Sequence, residues 1–440
     1  MSAILSAFKD VDLRKKILFT IAMIILYRIG AQIPSPGINY ASISGRLREL
    51  TQDQSSVYSL INLFSGGALL QLSIFAIGIM PYITASIIVQ LLTVVIPHFE
   101  ELKKEGQSGQ TKMTQYTRYL TVGLALLQAS GFVALADRGQ LLGGGVEVLK
   151  HDRNIFDLVV LVLSMTAGAV LVMWIGEMMT EKGIGNGMSL LIFAGIATRL
   201  PTDGISILTR SGGVVFAAVM AAVVVLVVGV VFIEQGQRRI PVQYAKRMVG
   251  RRQYGGTSTY LPLKVNQAGV IPVIFASSLI YVPVLITQIV QSGSTQPSDN
   301  WWQRNVIQYL QTPSSWQYIV LYFVLIIFFS YFYVSVQYDP NEQADNMKKY
   351  GGFIPGIRPG RPTAQYLGYV MNRLLFVGAL YLGVIAVLPN IMLELGVSAS
   401  SSSSTPFGGT AILILVSVAL TTVKQIESQL LQSNYEGFLK

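Results

Sequence analysis

The sequence predicts an all-α polytopic membrane protein whose ten transmembrane helices divide into two inverted halves of five. Three observations carry that reading. The chain has 440 residues, 52% hydrophobic and only 12% charged, with a mean hydropathy of +0.53. Soluble domains carry roughly a quarter charged residues, so this chain holds more apolar surface than a water-surrounded core can bury. Ten apolar runs each approach the ~20 residues that a bilayer crossing requires. Finally, the phrase GIMPYITAS at 78–86 returns as GVIPVIFAS at 269–277, with Gly, Pro, Ile, Ala and Ser in the same places.

The first run, 17–34, follows Arg14, Lys15 and Lys16, and reads as a retained span rather than a cleaved signal because longer apolar runs come after it. The second, 61–96, is too long for one straight helix. Asn62, Ser65, Gly66 and Gly67 suit lipid poorly, and Gly78 with Pro81 breaks the helical ladder. Non-helical backbone at membrane depth is tolerated only where protein buries it or it lines a water-filled cavity. Residues 62–72 therefore read as a short half-helix inside the protein, followed by a crossing from about 73 to 96; an ordinary kinked span is the alternative. Spans 3 and 4 fall at 119–137 and 154–178. GIGNG at 183–187 reads as a flexible lead into a short fifth span, 184–200. Spans 6 to 10 follow at 213–234, 268–290, 316–337, 366–389 and 407–426, separated by two large loops at 235–267 and 338–365. The halves are thus 1–210 and 211–440.

Orientation follows from Lys and Arg. With the N-terminus inside, and with Arg199 and Lys424 at span ends counted with the adjoining loop and tail, the inner segments hold 22 of these cations and the outer loops 8, so both termini are expected in the cytoplasm. Five crossings per half is an odd number, which forces the second half to enter the bilayer upside down relative to the first. The two copies of the phrase then sit in the second span of each half, running in opposite directions. Gly, Pro, Ile, Ala and Ser are also common in membrane helices, and a chance match is the competing explanation.

Several functions are disfavoured. There is no cysteine, so disulfides, thiolate chemistry and cysteine-held metals are excluded. The two histidines, His98 and His151, fall in predicted loops, and no metal or cofactor site is expected. Ion-coupled transporters place ionisable groups at the bilayer centre. Here Arg28, Glu177 and Arg373 lie toward span ends, where a side chain reaching the interface explains them. No span pairs Ser with His or Asp with Asp, and no GxxxxGK[ST] occurs, so neither intramembrane proteolysis nor nucleotide hydrolysis is expected and the chain does not read as an enzyme.

Two features remain. The repeated phrase places Ile83 and Ile274 at equivalent positions, with Ile79 one turn before Ile83. Facing a cavity, they would form an apolar neck that gates by excluding water; facing lipid, they would be ordinary. The loop at 235–267 carries Arg238, Arg239, Lys246, Arg247, Arg251 and Arg252, interleaved with Tyr244 and Tyr254 and without an acid between. That run suits RNA phosphate, anionic lipid headgroups or an acidic protein surface, or is an enlarged topology signal. The Gly- and Pro-rich loop at 338–365, with Arg358 and Arg361, reads as an ordered contact surface.

A series of stretches in order closely resembles the SecY family, the channel subunits of the Sec protein translocase. They are YRIGAQIPSPG (27–37), NLFSGGAL (62–69), GIMPYITASII (78–88), KKEGQSGQTKMTQYTRY (103–119), GIGNGMSL (183–190), GQRRIPVQYAKR (236–247), LPLKVNQAGVIPVIFASS (261–278), GGFIPGIRPGRPT (351–363) and FGGTAILI (407–414). The resemblance implies a central pore in a bacterial inner membrane, passing unfolded secretory polypeptides and releasing transmembrane segments sideways. It implies a pore ring of Ile79, Ile83, Ile192, Ile274 and Ile414, with Met188 as the alternative register in span 5. The half-helix becomes a plug containing Asn62, Phe64, Ser65, Gly66, Gly67, Ala68 and Leu69. Spans 2, 3, 7 and 8 become a lateral gate with Gln90, Gln128, Ser277 and Ser278 as polar contacts, and the two large loops become docking surfaces. The implied partners are SecE and SecG subunits, the SecA ATPase, the ribosome, signal peptides, nascent chains and membrane lipids.

Overall fold

The computed structural model describes residues 10–38, 68, 72–137, 149, 154–244, 247–249, 252–254, 258–291, 310, 315–394 and 409–437. Each of the ten stretches read as spans contains a helix. They are α1 (Val11–Gln32), α2 (Met80–Val95), α4 (Gln107–Asp137), α5 (Ile155–Lys182), two limbs of α6 (Gly187–Gln235), α7 (Ile271–Gln291), α8 (Trp316–Gln337), α10 (Arg361–Glu394) and α11 (Gly409–Gly437). Short helices α3 (Pro97–Lys104) and α9 (Pro340–Lys349) lie between spans. By length and composition alone, five stretches among the described residues suffice to cross a bilayer: Ile155–Lys182, Gly212–Gln235, Trp316–Lys349, Arg361–Leu388 and Gly409–Gln432. The pair α2 and α3, bent by 99°, forms a broken sixth.

Four expectations change. The second crossing is not helical from residue 73: residues 74–79 are turns, and α2 begins only at Met80. The cause is local, because Gly78 takes a left-handed φ of 61° and Pro81 fits the first turn of a helix, where no N–H partner is lost. Residues 201–211, expected as a loop, continue the helix; the chain turns only at Gly212, where φ is 80° and ψ 169°. His98 lies in α3 rather than in a loop. GIGNG is a tied turn rather than a flexible lead: Asn186 accepts the N–H groups of Met188 and Ser189, and Thr20 Oγ1 accepts that of Ile184 at 3.1 Å.

The fold also contains strands that the helical reading omits. The segment after α6 forms β1 (Gln237–Tyr244), β2 (Arg247–Val249), β3 (Arg252–Tyr254) and β4 (Ser258–Lys264), and the loop before α10 adds β5 (Gly352–Phe353). One sheet has the order β4-β1-β5, all antiparallel, and β2 pairs with β3. Alternation in β1 buries Ile240 and Val242 and exposes Arg239, Pro241 and Gln243. Pro241 and Pro262 are tolerated because they fall in one class of the ladder, Arg239↔Pro262 and Pro241↔Tyr260, where the missing N–H points away from the partner strand.

The main core is a continuous apolar cluster to which α1, α2, α4, α5, α6, α7, α8, α10 and α11 all contribute. Outward-facing Val214, Val225, Val228 and Phe232 on the second limb of α6 stay exposed, as a lipid-facing helix requires.

Candidate functional site

The two copies of the repeated phrase adopt one backbone conformation. Gly78 and Gly269 have φ of 61° and 63°, and each helix starts two residues later with proline in second place, Pro81 in α2 and Pro272 in α7. The hydrogen bonds match as well. Tyr82 and Ile83 donate to the Ile79 carbonyl, and Val273 and Ile274 donate to the Val270 carbonyl. Each phrase opens beside the end of the first helix of its half. Ile74 donates to the Ile33 carbonyl just past α1, and Val265 donates to the Gly236 carbonyl just past α6. Ile83 and Ile274 are 8% and 7% exposed, so neither faces open lipid. The mismatch of Thr84 with Phe275 inside the phrase has a cause. Thr84 is half-buried and donates to its own helix at the Met80 carbonyl, whereas Phe275 is buried and meets Phe329 and Tyr333 of α8 edge-on at 5.8 and 6.2 Å.

The non-helical residues before α2 are held from three sides. Ser35 donates to the Leu72 carbonyl, and Pro34 bridges Ser73. Phe75 stacks on Tyr27 of α1 at 6.0 Å, and Gly30 of α1 leaves room for that ring. Gly168 of α5 lies against the Ile74 carbonyl, where a Cβ would overlap it. Ser73 and Ser35 are buried, so this is irregular backbone enclosed by protein.

Ile79, Ile83, Ile192, Ile274 and Ile414 are all buried and all belong to the same apolar cluster. Met188, the other register in span 5, is partly buried and packs toward Gly176 of α5. Among the residues expected in a plug, Ala68 is described and is 1% exposed; Asn62, Phe64, Ser65, Gly66, Gly67 and Leu69 lie outside the described residues. Of the polar residues expected at a lateral gate, Gln90 on α2 is half-buried, and Gln128 on α4 and Ser277 and Ser278 on α7 are buried. Ser277 donates to the Ile274 carbonyl at 2.9 Å, while the Ser278 hydroxyl has no partner. Helix α7, which carries Ser277 and Ser278, packs against both α2 and α4, the helices that carry Gln90 and Gln128.

The cations form a separate surface. Arg238 and Arg239 on β1, Arg358 in the turn before α10 and Arg361 at its start are exposed. Thr363 caps that turn by donating to the Arg358 carbonyl at 2.9 Å. Arg247 and Arg252 lie on β2 and β3, and Lys246, Arg251 and His151 lie outside the described residues. The β5 pairing with Gln243 and Tyr244 joins the two large loops into one platform, bringing Arg239 and Arg358 onto the same structural unit.

Of the membrane-end ionisable groups, Glu177 has a partner that the sequence did not reveal: Arg118 of α4 donates through Nε at 3.0 Å to both carboxylate oxygens. The guanidinium of Arg373 lies 4.4 Å over the Tyr369 ring. A second pair was also missed. Glu234, in the last turn of α6, and Asn266, before α7, are both buried and hydrogen-bonded. An acid and an amide each sitting where an apolar run ends was the only signal available.

Comparison with known proteins agrees with this architecture. A solved structure of a protein-conducting channel superposes with a TM-score of 0.65 at 19% identity, covering 93% of this chain and 91% of that one. The Sec61 chain of a canine ribosome–channel complex from the endoplasmic reticulum superposes at 0.60 with 18% identity, covering 93% and 91%. At such identities these matches speak for the fold alone. The sequence comparisons go further. Protein translocase subunit SecY of Corynebacterium glutamicum is 86% identical, and that of Mycobacterium tuberculosis H37Rv is 65% identical, both over the full length of both chains. The SecY family model matches residues 73–423, and on these grounds the chain belongs to the SecY family.

Proposed function

We propose that this translocase channel subunit carries its pore between its two halves, 1–210 and 211–440, and seals it with an apolar ring of Ile79, Ile83, Ile192, Ile274 and Ile414. The observation that carries the proposal is the matched setting of Ile83 and Ile274 on equivalent turns that follow Gly78 and Gly269. A channel for unfolded chains of any sequence gains nothing from specific polar binding groups. Flexible apolar side chains part around a polypeptide and exclude water and ions when it has gone.

The remaining parts follow the same reading. Residues 62–72 act as a plug against the ring. The seam between α2, α4, α7 and α8, with Gln90, Gln128, Ser277 and Ser278, opens to lipid, since a segment leaving through it gains about 0.8 kcal/mol per buried CH2. The two large loops, with Arg238, Arg239, Lys246, Arg247, Arg251, Arg252, Arg358 and Arg361, face the cytoplasm with both termini and receive the ribosome or the SecA motor. SecE and SecG complete the complex, signal peptides and nascent chains are the substrates, and the driving energy comes from a partner.

The test is conductance. Ile83→Asn combined with Ile274→Asn raises the ion conductance of the resting complex in planar bilayers, because two amides hydrate the neck. Unchanged conductance overturns the seal.

A further inference from the structure

We infer that Lys103 is a specificity-determining residue of the lateral release step: it clasps the α3 end of one half to the end of α8 in the other, and so sets how apolar a segment must be to leave sideways. The inference rests on the lateral-gate reading above. Helix α3 turns through 99° from α2 and is anchored on its own half. Leu102 is 2% exposed and packs with Val89 of α2 and Met113 of α4. The neighbouring Lys103 is exposed and points the other way, its ammonium donating to the carbonyl of Val336.

That carbonyl is one of the four that a helix leaves without an internal partner at its C-terminus. Within α8 the last closing bond runs from Tyr338 N–H to the Val334 carbonyl, so the Val336 oxygen is available. A cation at this end also meets the negative pole of the α8 dipole. The adjacent cations are occupied within their own half, Lys104 with Glu100 at 2.7 Å and Lys112 with Glu105 at 3.2 Å. The clasp therefore bridges the two elements that separate when the seam between α2 and α7–α8 opens. In the closed arrangement a polypeptide gains nothing from it, and a departing segment must supply the free energy of its release.

The test uses the complete translocase in membrane vesicles and a secretory protein carrying guest segments graded in leucine content. In Lys103→Met, and again in Lys103→Gln, segments at the wild-type threshold are released to lipid about threefold more often. Lys103→Arg, which keeps a donor, retains the wild-type threshold, and the unfolding midpoint of all three variants stays that of the parent. A photo-crosslinker at position 90 or 278 reports segments lying in the seam. An unchanged or higher threshold in Lys103→Met, with segments still captured there, overturns the clasp. Absence of capture at both positions in the parent instead overturns the lateral-gate reading.

Discussion

The side-chain amide of Asn266 donates to Glu234 Oε2 at 3.0 Å, with Asn266 4% and Glu234 6% exposed. The same amide nitrogen also donates to the carbonyl of Gly269, the left-handed residue that opens the second copy of the repeated phrase. One buried side chain thus ties the end of α6 to the turn that sets the direction of α7. A carboxylate is poorly placed at a helix C-terminus, where the dipole is negative, so Glu234 depends on this donor.

Asn266→Leu is expected to destabilise the protein by about 1.5–3 kcal/mol, the range for losing a hydrogen bond to a charged group, since the buried carboxylate is left unpaired. Glu234→Gln preserves a hydrogen-bonding oxygen and costs less. The double variant Asn266→Leu with Glu234→Leu costs less than the two single changes added together. Thermal unfolding of the purified complex measures all four; strict additivity would remove the coupling.

Gly168 and Gly229 make opposite predictions. A Cβ at Gly168 overlaps the Ile74 carbonyl, whereas one at Gly229 meets nothing within 4 Å. Gly168→Ala must push the irregular stretch before α2 away from α5, costing about 1–3 kcal/mol as an overpacked contact. Gly229→Ala, in an exposed helix, is neutral or stabilises by up to about 1 kcal/mol. Equal effects in unfolding assays would show that the 72–79 stretch does not rest on α5.

What the sequence made legible follows from what each feature depends on. Periods of apolar residues long enough to cross a bilayer depend on local composition, and all ten expected spans fall on helices. The glycine and proline of the repeated phrase act through their own backbones, so the break before α2 was readable, although its extent was not. Residues 74–79 are held by Ile33, Phe75 on Tyr27, and Gly168, contacts made across the chain. The sheet was missed because Arg238, Arg239 and Pro241 in β1 read as part of a basic loop, although Ile240 and Val242 alternate as a half-buried strand does. The pairs Glu177 with Arg118 and Glu234 with Asn266 depend on tertiary placement, which leaves no periodic trace.

The basic platform is expected to bind polyanion through counterion release. Arg239→Glu with Arg358→Glu removes two exposed cations and weakens ribosome binding in flotation assays. The slope of log affinity against log salt becomes shallower by about 1 or more if both arginines contact phosphate in RNA. Loss of affinity with an unchanged slope would assign the platform to contacts with protein instead.

The seventh position of the repeated phrase sets Thr84 against Phe275, and the structure gives that difference a cost. Phe275 is 5% exposed and sits edge-on to both Phe329 and Tyr333, which anchors α7 on α8. Phe275→Ala is expected to cost about 3–5 kcal/mol, the range for emptying a buried aromatic site. Thr84, half-buried, closes a hydrogen bond to the Met80 carbonyl at 3.0 Å within α2, so Thr84→Ala costs about 1 kcal/mol or less. If the seam opens between α2 and α7, α7 must move with α8 as one body. Weakening the α7–α8 contact should then slow lateral release of a test segment, whereas Thr84→Ala leaves it unchanged. Release from Phe275→Ala at the parent rate, in protein still folded at the assay temperature, would show that α7 moves without α8.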